Sequence, residues 1–381
     1  MEYSEEQLML RDMVREFARN ELEPKAAEID ETGEFPWDNI RKMAELGLLG
    51  IPFPEQYGGA GMDTLSFVLA LEEIAKVCGS TCLTIAAHTS LCATPIYLFG
   101  TEEQKQKYLT PLASGESLGS FCLTEPGSGS DAGAARTTAV VEGDHYVLNG
   151  NKVYVTNGGV ADTFVVFAKT DPEKGVRGIS AFIVEKGSEG FVIGKKEDKL
   201  GVRASDTRVI SIENCKVPRE NLLGRENDGF KQALVTLDGG RIGIGAMAVG
   251  LAQGAMERAA AYANERTAFG KPIADFQAIQ WMIADMGTEI HGARLMVHHV
   301  ARLRDQNKPY TKEAAMAKLF ASEMAMRATK NAIQIFGGYG FCKDYPVERY
   351  WRDAKLTVIG EGTSEIQRMV ISRELMKEFS N

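Results

Sequence analysis

The sequence predicts an α+β, multidomain chain with an N-terminal helical domain, a middle β-barrel domain and a C-terminal four-helix bundle. Three observations carry this. Apolar residues recur at helical spacing from Ser4 to about Leu118, short β-rich runs between turn residues follow as far as Phe230, and long helical stretches resume after Asp238. A chain of 381 residues also exceeds one ordinary core, and the changes of pattern divide it at 1–120, 121–235 and 236–381.

In the first segment, Leu8, Met13, Val14 and Phe17, and later Phe67, Val68, Leu71, Ile74 and Ala75, mark amphipathic helices. Ser4 with Gln7 resembles a capping box, and Pro52, Pro54, Gly58, Gly59 and Gly61 mark a long connection. In the second segment, Thr163–Lys169, Gly178–Val184 and Arg208–Ile212 read as strands, because branched and aromatic side chains fit a pleated surface. Turns are expected at Glu142-Gly143-Asp144 and Asn149-Gly150. The third segment reads as helices over about Arg241–Arg266, Ile273–Gln306, Thr311–Phe336 and Glu365–Phe379, joined closely enough for an antiparallel bundle.

Composition excludes several classes of function. A net charge of −9 argues against nucleic acid or an anionic membrane surface as partner. No apolar run is read as reaching the ~20 residues of a membrane span, and Met1–Asp12 has neither the basic nor the apolar region of a targeting signal. A cytoplasmic location is the expectation. The six cysteines are scattered without Cys-x-x-Cys spacing and read as small buried hydrophobes. No metal site is expected, since the one close histidine pair, His298-His299, points in different directions on a helix.

The strongest candidate for chemistry is Glu361, between Gly360 and Gly362 at the junction of a charged helical stretch and an apolar one. Glycines on both sides let the backbone bend and let a ligand lie against the main chain. A carboxylate desolvated there by a ligand gains the raised pKa that suits a general base, although a plain surface loop would carry the same residues. No Gly-x-Gly-x-x-Gly follows a strand, so a Rossmann mode is unsupported. The loops Gly127–Ser130 and Gly337–Gly340 can offer backbone N–H groups to a phosphate or a flavin, but a helix C-cap accounts for Gly337 and Gly338 equally well.

Five separated blocks share one resemblance. They are Phe121-Cys122-Leu123-Thr124-Glu125-Pro126-Gly127-Ser128-Gly129-Ser130-Asp131, Tyr154-Val155-Thr156-Asn157-Gly158, Glu265-Arg266-Thr267-Ala268-Phe269-Gly270, Gln334-Ile335-Phe336-Gly337-Gly338 and the run from Val358 to Arg368. In this order, over nearly the whole chain, they resemble the acyl-CoA dehydrogenases. Lys195–Arg203 and Thr236–Ile244 are most similar to the short-chain, butyryl-CoA members.

That resemblance implies bound FAD, an acyl-CoA substrate, an electron-transfer flavoprotein as partner and a homotetramer. It assigns Phe121, Leu123, Thr124, Ser130, Tyr154 and Thr156 to the flavin ring and ribityl chain. Arg266, Phe269, Gln277, Gln334, Ile335, Phe336, Gly337 and Gly338 are assigned to pyrophosphate and adenosine, in part from a neighbouring subunit. Thr363 and Glu365 close the cofactor site. Glu361 is the implied base, with its own N–H on the thioester oxygen, and Ser130, Asp238, Arg241 and Gly362 are the implied substrate residues. Taken alone, Arg266 also reads as a helix-end surface cation, and Asp238 with Arg241 as a helix N-terminal Asp beside a surface Arg. A related subgroup carries its base at the position that is Gly240 here, which leaves Glu361 alone. Departures are Tyr154 for Trp, Ala268 for a hydroxyl residue and Gly360 for Tyr beside the base. The competing readings are a branched short-chain dehydrogenase, an oxidase using O2, and a noncatalytic DNA-associated flavoprotein, the last disfavoured by the excess acid.

Overall fold

In the computed structural model, residues 2–380 are described, and the outermost expected domain limits, 1 and 381, lie outside them. The N-terminal helices are α1 (Glu5–Phe17), α2 (Ala26–Thr32), α3 (Trp37–Glu45), α4 (Thr64–Ala75), α5 (Gly79–Ala86), α6 (Thr94–Phe99), α7 (Glu102–Gln104) and α8 (Thr110–Ser114). Ser4 caps α1 as expected: its hydroxyl accepts from the Gln7 N–H at 3.1 Å, and the Gln7 side chain accepts from the Ser4 N–H at 3.0 Å.

The β segment holds β1 (Gly119–Cys122), β2 (Thr138–Glu142), β3 (His145–Thr156), β4 (Thr163–Lys169), β5 (Ile179–Glu185), β6 (Phe191–Lys196), β7 (Thr207–Pro218) and β8 (Leu222–Leu223). They pair in the order β6-β7-β3-β2-β4-β5-β8, with β1 also on β4. The expected middle β domain is one eight-stranded sheet, and β6 and β8, at the two ends of the path, are not hydrogen-bonded to each other. It is curled enough to enclose its own core, where Phe164 meets Phe191 (ring centroids 4.8 Å apart) and Tyr146 meets Phe182 (4.9 Å). The opposite face, with Val165, Phe167 and Ile183, packs on the N-terminal helices. Burial on both faces is why β4 and β5 are continuous apolar runs.

Gly143 makes the expected turn between β2 and β3 with φ 60°. Asn149-Gly150 does not turn the chain. It lies inside β3 at a bulge, and a Cβ on Gly150 would come within 2.3 Å of the Thr137 hydroxyl, so close approach explains this glycine.

The C-terminal helices are α9 (Gly229–Glu265), α10 (Gln277–Asp305), α11 (Thr311–Phe336), α12 (Val347–Thr357) and α13 (Ser364–Phe379). Helix α9 starts at Gly229, well before the expected Arg241, because Gln232, Ala233 and Thr236 bury a first face that outweighs the weak helix propensity of Gly239-Gly240. It packs against α4, α10, α11 and α12, and one apolar core runs through both helical regions. The expectation of no membrane-length apolar run is also corrected. Gly79–Phe99 and Gly229–Glu265 are long and apolar enough to span a membrane, yet 83% and 78% of their most apolar windows are buried within the protein. Five cysteines are buried, whereas Cys342, after the turn that ends α11, is exposed.

Candidate active site

Glu361 lies in the short link between α12 and α13. Gly360 donates its N–H to the Leu356 carbonyl at 2.8 Å, Ser364 to the Val358 carbonyl at 3.0 Å, and the Thr363 hydroxyl caps α13 by accepting from the Ile366 N–H at 3.3 Å. Glu361 and Gly362 have φ of 53° and 93°. For a glutamate this is a sparsely occupied conformation that the surroundings must hold in place. Gly362 is favoured by its positive φ, and a Cβ there would also sit 2.8 Å from the Gln367 side-chain amide nitrogen, which would have to shift. Gly360 is different: its φ is not positive and its Cβ would make only ordinary contact with Leu356 at 3.5–3.6 Å, so the expectation that both glycines serve the bend holds for Gly362 alone.

The Glu361 side chain reaches over Gly240 of α9. A Cβ at that glycine would stand 2.0 Å from Glu361 Oε2 and 2.9 Å from Leu91, so the bare backbone at 240 is the floor on which the carboxylate rests. Although the residue is partly open to solvent, Oε2 is enclosed and has no hydrogen-bond partner among the described residues. Desolvation pushes its pKa up to about 7, against the opposing pull of Lys318 and Arg241.

Around it, Arg241 Nη1 donates to Asp238 Oδ1 at 2.5 Å, and the Thr311 hydroxyl donates to Asp238 Oδ2 at 2.6 Å. Burial raises the Asp238 pKa and lowers that of Arg241. Asp238 is therefore well inside α9 and Arg241 is buried, which removes the reading of a helix-start acid beside a surface cation. Two further residues were not singled out from sequence. Lys318 of α11, fully buried, donates from Nζ to the Gly362 carbonyl at 2.7 Å. Gln367 donates to the same carbonyl at 2.9 Å and to that of Glu361 at 3.3 Å. Lys318 had a legible signal: a lysine in a row of small apolar residues, Ala314, Ala317, Ala321 and Ala325, at helical spacing.

A second group gathers at the edge of the sheet. Strands β1 and β2 share one edge of β4, β1 pairing with Thr163–Val166 and β2 with Lys169. The block from Thr124 to Asp131 belongs to the loop that leaves and rejoins this edge. Glu125 ties its two ends: its carboxylate accepts from the N–H groups of Arg136 (2.6 Å) and Thr137 (3.0 Å) and from buried Lys152 (2.7 Å). Strand β3 runs alongside, with the Val153 N–H on the Thr124 carbonyl (2.9 Å) and the Ser120 hydroxyl on the Thr156 carbonyl (2.6 Å). Phe121 and Leu123 face the core, Ser130 is exposed, and Tyr154 turns its ring outward, 70% exposed, at φ 55°.

A third group lies at the far end of α9. Arg266 sits over the Tyr339 ring at 5.7 Å and makes no ion pair with a described residue. Phe269 is 96% exposed, and Gln277, Gln334, Gly337 and Gly338 are exposed too, while Ile335 and Phe336 are buried, Phe336 stacking on Tyr262 at 4.1 Å. Gly337 ends α11 with φ 62°, so the C-cap reading holds for it. At a rise of 1.5 Å per residue, Arg266 is about 37 Å along α9 from Arg241. The third group thus stands at the C-terminal end of α9, far along the helix from the first.

Comparison with known proteins now bears on this geometry. Three family models, the acyl-CoA dehydrogenase N-terminal, middle and C-terminal domains, match residues 4–116, 120–215 and 227–376. The chain belongs to the acyl-CoA dehydrogenase family. It is 57% identical over 372 residues to the short-chain specific acyl-CoA dehydrogenase of Clostridium acetobutylicum, covering 98% of both chains. The butyryl-CoA dehydrogenase structure from Megasphaera elsdenii superposes with a TM-score of 0.97 at 46% identity, covering 99% of both chains. A chain solved in work on the electron transferring flavoprotein of Acidaminococcus fermentans gives 0.98 at 55%, covering 98% of this chain and 99% of that one.

Acyl-CoA dehydrogenases use FAD, and the surface features present fit such a group. Tyr154 offers an exposed aromatic face beside the Thr124 edge, and Gly337 and Gly338 have open space where a Cβ would be. Unpaired Arg266 offers a cation to a diphosphate.

Proposed function

We propose that this acyl-CoA dehydrogenase oxidises short-chain acyl-CoA thioesters to trans-2-enoyl-CoA, with Glu361 as the base and an electron-transfer flavoprotein as acceptor. The carrying observation is the Glu361 carboxylate, its Oε2 enclosed and without a hydrogen-bond partner among the described residues, and its pKa raised toward neutral by burial over Gly240. A base of that strength takes the α-proton of a thioester, and the N–H of Glu361, held at φ 53°, is the donor for the thioester oxygen as enolate charge develops. Gly362, without a side chain, lets the acyl group approach the main chain. FAD, when bound, supplies the acceptor for the β-hydride.

The residues that would hold FAD are Phe121, Leu123, Thr124, Ser130, Tyr154 and Thr156 on the sheet edge, with Thr363 and Glu365 beside the base. The Arg266, Phe269, Gln277 and Gln334–Gly338 group, about 37 Å from Arg241 along α9, is assigned to the cofactor of a second copy of the chain, and a homotetramer is part of the same proposal. Short-chain preference rests on the Clostridium and Megasphaera relatives. The flavoprotein partner is supported by the Acidaminococcus likeness.

The test is anaerobic titration of the flavin-loaded protein with straight acyl-CoAs of increasing length, in wild type and Glu361→Gln. Butyryl-CoA bleaches the wild-type flavin, whereas the variant still binds flavin and thioester but reduces at least ~100-fold more slowly. Near-normal reduction in the variant removes Glu361 as the base.

A further inference from the structure

Buried lysines are expensive, and Lys318 is wholly enclosed without a carboxylate in hydrogen-bond contact among the described residues. Its acceptor among the described residues is the carbonyl of Gly362, the residue that follows the base, at 2.7 Å. Gln367 holds that same carbonyl, and Ser322, one turn along α11, donates to the Thr357 carbonyl at 2.8 Å, so α11 grips the link on both sides of Glu361. An apolar residue at 318 would fill the space without the desolvation cost, so the ammonium needs a reason in what surrounds it.

We infer that Lys318 is a positioning residue for the base: its ammonium pins the Glu361-Gly362 turn through the Gly362 carbonyl, and its charge favours the ionised carboxylate. The inference rests on reading Glu361 as the base. The groups facing this carboxylate are Lys318 from α11 and Arg241 from α9, and Lys318 in turn feels Arg241, Glu323 and Glu365. Arg241 is engaged by Asp238, which leaves Lys318 as the cation not committed to another carboxylate by hydrogen bond. Burial lowers the pKa of Lys318 to about 8 and raises that of Glu361 to about 7, and the charge of each opposes the shift of the other.

The sign of the effect follows. Glu361 must be ionised to take a proton, so kcat/KM falls as pH drops through about 7. Removing a neighbouring positive charge raises a carboxylate's pKa, so Lys318→Met and Lys318→Gln move this acid limb to higher pH by about one unit or more. Lys318→Gln, which keeps a side-chain N–H donor that Lys318→Met lacks, is expected to keep a faster plateau than Lys318→Met. The experiment is kcat/KM for butyryl-CoA against pH in flavin-loaded wild type and both variants, with flavin content and melting temperature as folding checks. A merely structural lysine lowers flavin content or melting temperature and leaves the midpoint where it is, and an unmoved acid limb in either flavin-retaining variant overturns the inference. If neither variant retains flavin, infrared titration of wild type against Glu361→Gln decides. Ionisation of Glu361 coupled to a second proton loss near 8 supports the inference, and a single independent step overturns it. Reduction persisting in Glu361→Gln overturns the base itself. Loss of reduction there, together with unmoved Lys318 variants, overturns this inference alone.

Discussion

Gly240→Ala adds one methyl group to the floor beneath the base. Its Cβ would lie 2.0 Å from Glu361 Oε2 and 2.9 Å from Leu91 Cδ2, both inside the approach that real side chains tolerate. Restoring ordinary contact of about 3.4–4 Å requires the carboxylate to move by more than ~1 Å, and a misplacement of that size costs about 100-fold in a reaction that depends on alignment. The backbone effect runs the other way, because alanine in a helix interior is favoured over glycine by about 1 kcal/mol. Since the conflict falls on the end of a flexible side chain, stability should change little. The assay is single-turnover flavin reduction by butyryl-CoA under anaerobic conditions, with flavin content measured alongside. Gly243→Ala is the control: on the same helix its Cβ would meet Ser90, Leu71 and Ala86 at 3.5–3.7 Å, so reduction should stay near wild type. Equal rates in the two variants would refute the claim that Gly240 exists to make room for Glu361.

Gly360→Tyr should fold and load flavin, because neither φ nor Cβ contact demands glycine there. The added ring should lower kcat/KM for isobutyryl-CoA and 2-methylbutyryl-CoA relative to butyryl-CoA by about 1 to 3 kcal/mol, and an unchanged ratio would remove the steric explanation of branching. Light scattering should give four copies, with flavin released as dilution separates them, since the Arg266 group lies at the far end of α9 from the base. A monomer holding full flavin contradicts that division.

Local signals were legible wherever the physics is local. The capping box at Ser4, strand β4 from Thr163 to Lys169 and helix α11 from Thr311 to Phe336 stand where periodicity and turn chemistry put them, because each depends on neighbours within a few residues. Glu361 was legible for the same reason: a carboxylate beside Gly362 is a local peculiarity. What the sequence left open depends on segments far apart in the chain. Helix α9 begins before Asp238 because tertiary burial overrides two glycines, and Asn149-Gly150 is a bulge because Thr137 lies against it. Likewise, the carboxylate gains its elevated pKa only through the burial that α9 completes with Gly240 beneath it, and α11 sets a limit on that rise by bringing the Lys318 cation near. Desolvation and charge proximity are properties of a packed volume, and a residue's neighbours in the chain do not specify which groups share it.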